Sequence, residues 1–225
     1  MRANGGKVLP VTNEFSGPAG QETPIRAGGR VVALISGAGS TMAAVLRAQQ
    51  DEAYGARIVA VVADNTGAGG LELAREQGIA TAVVSPRDFA SRDEWNVALA
   101  RTVASFGPDL VLSAGFMRIL GDGFLSRFGG RTVNTHPALL PAFPGAHGVR
   151  DALDYGVKVT GCTLHVVDEG MDTGPIIDQR VVRVEDDDDE SSLHDRIKAT
   201  ERELLVEWVP RLAVSGFAVD GRRVR

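Results

Sequence analysis

Between Arg30 and Asn134, short apolar runs alternate with segments of helical spacing, and that rhythm leaves few folds open. Arg30–Ile35, Ile58–Ala63, Ala80–Val84, Leu110–Leu112 and Thr132–Asn134 are continuous apolar runs, as strands covered on both faces require. The segments between them read as helices. Ser40-Thr41 offers an N-cap ahead of Met42, Val45 and Leu46, and Gly78 stops a helix over Gly70–Gln77. Ser91 caps a helix whose Trp95, Leu99, Val103 and Phe106 share a face, and Pro108 ends it. The alternation predicts an α/β fold with a doubly wound, mostly parallel, Rossmann-like sheet. After Pro144 the pattern changes. Val149–Tyr155 predicts a short helix, and Val157–Val167 and Ile177–Val184 predict strands able to pair antiparallel. Ser192–Val214 predicts a long helix that Pro210 kinks or shortens. Asp220-Gly221 predicts a terminal hairpin. Met1–Gly29 shows no period and reads as a flexible extension. Residues 30–225 read as one domain with lobes at 30–130 and 131–225, because no linker-like stretch divides them.

In such sheets ligands sit beyond the carboxyl ends of the strands. Four segments fall there: Ser36–Thr41, Ala114–Leu120, the stretch from Asn134, and the approach to Asp172. Asn134 and His136 are two apart on an extended edge, so both side chains face one side. Pro137 disfavours the helical region for His136, and Pro141 and Pro144 stiffen the loop beyond it. Asp172 lies in a turn marked by Gly170, Gly174 and Pro175. An amide, an imidazole and a carboxylate that meet can polarise a carbonyl, hold an oxyanion and move a proton. A lone edge histidine and a turn aspartate capping its own backbone would leave the same residues in place.

Ser36-Gly37-Ala38-Gly39-Ser40-Thr41 joins a strand to a helix, where backbone N–H groups can hold an anion. It lacks the third glycine of a dinucleotide loop and the Lys-Ser/Thr of a nucleotide P-loop. A tight turn would look the same. Met117–Leu120 suits either the wall of a flat apolar pocket or a loop returning to the core. A net charge of -5 and a pI near 5.4 argue against nucleic acid as the main partner. Cys162 is the only cysteine, so an internal disulfide is excluded and a reducing, cytoplasmic location is expected. No apolar run is long enough to span a bilayer, and no signal core is visible. The acidic run Glu185–Glu190 reads as a solvated loop before a helix. His147, His165 and His194 lack metal-ligand spacing with one another or with Cys162, so no metal is expected.

Taken together, Val32–Ser40, Ala114–Leu120, Asn134–Pro141, Pro144-Gly145 and Asp172–Pro175 resemble the phosphoribosylglycinamide formyltransferases of purine synthesis. The resemblance runs from Arg30 to the end of the chain. It implies formyl transfer from the co-substrate 10-formyltetrahydrofolate to the amine of 5'-phosphoribosylglycinamide, with no metal required. It implies catalytic roles for Asn134, His136 and Asp172. Gly39, Ser40 and Thr41 would hold the phosphate, and Lys198, Thr200 and Glu201 would complete that substrate's site. Arg92, Met117, Arg118, Ile119, Leu120, Asn134, Asp168, Glu169, Met171 and Asp172 would hold the folate. A homodimer is compatible with it. Thr41 stands where the family has Asn, and Ala138 where Ser is common. Other formyl-folate enzymes share this core. Methionyl-tRNA formyltransferase adds a C-terminal domain and a basic surface, neither evident here. Formyltetrahydrofolate hydrolase adds an N-terminal regulatory domain, for which residues 1–29 are too short and polar. A non-catalytic folate or nucleotide-binding module is the reading from another class, and intact Asn134, His136 and Asp172 argue against it.

Overall fold

The computed structural model describes residues 28–225. The expected N-terminal extension therefore lies almost wholly outside the described residues, and Gly29 already belongs to the first strand. Strands β1 (Gly29–Ile35), β2 (Ala56–Ala63), β3 (Ala80–Val83), β4 (Leu110–Ser113) and β5 (Thr132–His136) are parallel. Strands β6 (Val159–Val166) and β7 (Ile176–Arg183) extend the sheet antiparallel, giving the order β3-β2-β1-β4-β5-β6-β7. Helices α1 (Met42–Ala48), α2 (Gly70–Glu76), α3 (Arg92–Ser105), α4 (Asp122–Phe128), α5 (Gly148–Tyr155) and α6 (Glu190–Ser215) complete the fold. The predicted hairpin, β8 (Val219–Asp220) and β9 (Arg223–Val224), turns at Gly221.

Alternation along β1 divides the core. Val31, Ala33 and Ile35 pack with Leu46, Leu71, Leu193, Ile197 and Leu204 on one face. Val32 and Leu34 pack with Trp95, Leu99, Phe124 and Phe128 on the other. Each large buried side chain contributes about 1.5–3 kcal/mol. Trp95 is buried without loss, because its indole N–H donates to the Val84 carbonyl at 2.8 Å. The chain reverses its direction of strand addition between β1 and β4, the place beyond which an open α/β sheet binds its ligands.

Three local expectations change. Helix α4 was not expected, because Gly121 offers no side-chain cap. The helix start is anchored from α3 instead: Asn96 Oδ1 accepts the Gly121 N–H at 2.8 Å, a partner that local sequence cannot reveal. At α1 neither Ser40 nor Thr41 caps. Thr41 is itself helical, Gly39 makes the turn at φ +69°, and its carbonyl accepts from Ala43 N. Helix α6 starts earlier than predicted and runs through Pro210 to Ser215 without being shortened. Its start is a reciprocal box: Asp189 Oδ1 accepts from Ser192 N at 2.8 Å, and Ser192 Oγ accepts from Asp189 N at 3.0 Å. The acidic run is not wholly solvated either, since Arg196 grips Asp188 through both terminal nitrogens.

Loss of that cap is measurable. Asp189→Ala should cost about 1 kcal/mol and lower the thermal midpoint by about 2–4 °C, read by calorimetry. An unchanged midpoint would mean that packing of α6 alone fixes its first turn.

Candidate active site

The end of β5 supplies the first two groups. Asn134 and His136 face one side, towards His165 and Asp172, while Thr135 faces the other way and bonds the buried Glu201 of α6. The antiparallel partner supplies a third, because the β5–β6 register sets His165 opposite Asn134. The loop from β6 to β7 returns across the strand ends and delivers Asp172. That residue sits at φ +57°, a left-handed conformation that Asp tolerates better than most.

The four side chains meet. Asp172 Oδ2 lies 3.3 Å from His136 Nδ1, and Asp172 Oδ1 lies 3.6 Å from His165 Nε2. Asn134 Nδ2 lies 3.2 Å from His165 Nε2. Carbonyls only accept, so the other ring contacts assign protons. His136 Nε2 donates to Phe143 O at 2.7 Å, and His165 Nδ1 donates to Val166 O at 3.0 Å. In its neutral form His165 Nε2 accepts from the Asn134 amide, in its protonated form it donates to Asp172 instead, and in both forms an Asn134 N–H is left for a ligand. His136 meets an acceptor at both nitrogens, which suits a doubly protonated ring. Both imidazoles are buried and Asp172 is largely so.

Burial pushes the Asp172 carboxyl upward. Hydrogen bonds from His165 and the Gly145 N–H, with the charges of His136 and His165, outweigh that and hold it below the usual carboxylate range. The loop around it is braced. Asp168 Oδ1 accepts from Gly170 N at 3.2 Å and Thr173 Oγ1 at 2.6 Å. Arg222, in the terminal hairpin, donates to the carbonyls of Thr173 and Gly174. Gly174 is obligatory, because a Cβ there would fall 1.7 Å from Val166 O. A cavity of about 570 Å³ adjoins this loop, lined in part by Leu125, Val167, Asp168, Glu169 and Val219.

The remaining expected residues are distributed unevenly. Gly39 packs so closely on Gly70 that a Cβ would lie 3.0 Å from its Cα, which pins the β1–α1 loop to α2. Ser40 is exposed and Thr41 half-buried. Arg92 Nη2 donates to Ile119 O at 2.8 Å, so it is tied to the β4–α4 loop. Met117 and Ile119 are exposed and Leu120 is buried. Arg118 Nε is paired with Asp64. Glu169 and Met171 are exposed on the Asp172 loop. Glu201 is buried behind β5, Lys198 lies 3.7 Å from Asp195, and the Thr200 hydroxyl donates back to Arg196 O within its own helix. Sequence reasoning missed His165, Phe143 and Arg222. A histidine within the apolar run Val157–Val167 was the only signal for His165. Among the described residues, no group of three or more His, Cys, Asp or Glu is placed to hold a metal ion, and no helix is long and apolar enough to cross a membrane.

An amide, two imidazoles and a carboxylate that meet beside a mostly parallel sheet can polarise a carbonyl, hold an oxyanion and move a proton, the chemistry that group transfer at a carbonyl requires. The formyl transferase family model matches residues 29–209, and the chain belongs to that family. It is similar to a phosphoribosylglycinamide formyltransferase of Mycobacterium tuberculosis, 56% identical over 199 residues, covering 88% of this chain and 92% of that protein. The crystal structure of glycinamide ribonucleotide transformylase 1 from Symbiobacterium toebii superposes with a TM-score of 0.86 at 38% identity, covering 92% of this chain and 98% of that one. A Drosophila melanogaster trifunctional purine biosynthetic protein adenosine-3 is 46% identical over 174 residues, 76% of this chain but 13% of that protein.

Glu201 carries a pH signature. Burial raises its carboxyl from an ordinary 4.5 to about 7, against the bond from Thr135 and the charges of Lys198 and Arg202. The folded state therefore binds more protons than the unfolded chain between those values. Its stability is full below about 4.5 and is lost as pH rises through about 7. Glu201→Gln should exceed the native urea midpoint by much more at pH 8 than at pH 5. Equal shifts at both pH values would show that Glu201 stays ionised when folded.

Proposed function

We propose that this chain transfers the formyl group of 10-formyltetrahydrofolate to the amine of 5'-phosphoribosylglycinamide, using Asn134, His136 and Asp172. Formyl transfer in purine biosynthesis is the reaction of proteins to which this one aligns over most of its length, and the chain is a transferase of that class. The observation that carries the residue assignment is the approach of His136 and His165 to the carboxylate of Asp172, with Asn134 joined to the same group through His165.

The amine lone pair attacks the formyl carbon, and the C=O π pair moves to oxygen. The free Asn134 N–H donates to that oxyanion. His136 Nε2–H supplies a second bond when it leaves the Phe143 carbonyl, while Asp172 holds Nδ1. The nitrogen that attacked now carries a surplus proton. Asp172 accepts it, through water where needed, and passes it to N10 of the folate as the C–N10 bond breaks and its electron pair returns to nitrogen. The products are formylglycinamide ribonucleotide and tetrahydrofolate, and the enzyme regains its starting protonation.

Around this centre the reading assigns Gly39, Ser40 and Thr41 to the phosphate and Lys198, Thr200 and Glu201 to the rest of that substrate. The folate lies along Arg92, Met117–Leu120 and Asp168–Asp172, with the adjoining cavity as room for its ring system. Residues 30–130 then form the phosphate-side lobe and 131–225 the catalytic and folate-side lobe. A homodimer working in the cytoplasm belongs to the same proposal and rests on family likeness.

The test mixes the protein with 10-formyltetrahydrofolate, or its stable dideaza analogue, with and without 5'-phosphoribosylglycinamide, and follows the deformylated folate by absorbance. Signal should require the ribonucleotide. His136→Ala and Asp172→Asn should each lower kcat by about a hundredfold or more. Formate release without the ribonucleotide would instead mean a hydrolase, and near-normal turnover in both variants would remove these residues from the chemistry.

A further inference from the structure

A second buried carboxylate lies outside the catalytic group. Asp64 comes directly after β2 and is 2% exposed. Its Oδ2 accepts from Arg118 Nε at 2.6 Å and its Oδ1 from Asn65 Nδ2 at 2.8 Å. The Ser36 hydroxyl bonds the same carboxylate and accepts the backbone N–H of Met117 at 2.9 Å. The Asn65 amide also donates to Ser36 O at 2.9 Å, and Ser36 N donates to Gly115 O at 3.2 Å.

The partners belong to two different loops. Ser36 opens the β1–α1 loop, assigned to the phosphate side. Met117 and Arg118 belong to the β4–α4 loop, assigned to the folate side. The β1–β4 ladder runs on only as far as the bond from Ser36 N to Gly115 O, and beyond it the two loops are tied by the bonds around Ser36, Asn65, Arg118 and Asp64. A buried carboxylate cannot remain charged without partners, and here its partners are drawn from both substrate loops. Burial opposes its ionisation, but Arg118, Asn65 and Ser36 outweigh that and keep it charged. Arg118 stays half-exposed while so held.

We propose that Asp64 is a positioning residue that fixes the phosphate-side and folate-side loops relative to each other, without touching either substrate. This rests on the proposed assignment of those loops to the two substrates. A core anchor for β2 alone would not need a guanidinium and a hydroxyl from two other strand ends. Asp64 therefore controls how well both substrates are held rather than how fast the bound pair reacts.

Asp64→Asn keeps the shape but turns an amide donor towards Arg118 or Ser36, both donors. Steady-state kinetics with each substrate varied should show both KM values raised about tenfold, the worth of one charge-assisted hydrogen bond, with kcat changed by less than about threefold. Ser36→Ala cuts the same chain without leaving a new buried charge, so it keeps the test open if the Asn variant does not fold. It should raise both KM values by a smaller factor. Arg118→Gln added to Asp64→Asn should worsen the folate KM less than it does alone, because both changes break one network. Unchanged KM values with a lowered thermal midpoint would make Asp64 a structural residue only and overturn the proposal. A rise in one KM alone would also overturn it. Absence of transfer by the native chain would refute the proposed function instead, so the two failures are separable.

Discussion

The carboxylate of Asp172 sits between two imidazoles, and much of the C-terminal half exists to keep it there. A charge buried to that degree is costly unless every lone pair is answered. Here His136, His165 and the Gly145 N–H answer it. Each arrives from a different place: the end of β5, the facing position on β6, and the proline-rich loop after His136. The switch from parallel to antiparallel pairing at β6 is what makes this possible. A parallel neighbour would carry its end residue away along its own helix connection. An antiparallel neighbour brings His165 alongside Asn134 and then sends its loop back over the same strand ends.

That arrangement needs rigidity in segments with little secondary structure of their own. The loop after His136 is held by Thr163, which donates to Ala138 O at 2.7 Å and accepts from Leu140 N at 3.0 Å. Gln179 donates to Leu140 O and to Thr163 Oγ1 from one amide nitrogen, so β7 also reaches the loop. Phe143 adopts a left-handed backbone at φ +53°, and its carbonyl turns towards His136. The contact parks the imidazole in position before substrate arrives. It is also a contact that must be exchanged for the oxyanion, so the loop can be neither slack nor fully locked.

How much of this was legible depended on the range of the interactions involved. The parallel strands were legible because burial on both faces leaves continuous apolar runs such as Val31–Ile35. Asn134 and His136 were legible as a pair because a strand has a period of two. Asp172 could be placed on a turn from Gly170, Gly174 and Pro175, but its approach to His136 came from resemblance and not from spacing. His165 was missed because its role exists only in the β5–β6 register, which no local pattern fixes. Helix α4 was missed for the same reason, since Asn96 in α3 anchors its start at Gly121, which has no side chain to cap it. Pro210 misled in the opposite sense. A helix packed along its length by Leu204, Leu205, Val209 and Leu212 can absorb one missing hydrogen bond.

The limits of the shared core refine the picture of the Asp172 loop. The family match ends at residue 209, yet Arg222 binds the carbonyls of Thr173 and Gly174 from the hairpin beyond it. Every group that meets Asp172 directly lies inside the match, and this brace lies outside it. The groups that meet Asp172 and the support of its loop therefore come from different parts of the chain. The Drosophila relative carries a similar stretch as a small fraction of its length. What the hairpin supplies is a lower entropic cost of holding the loop in its reactive shape, not a new chemical group.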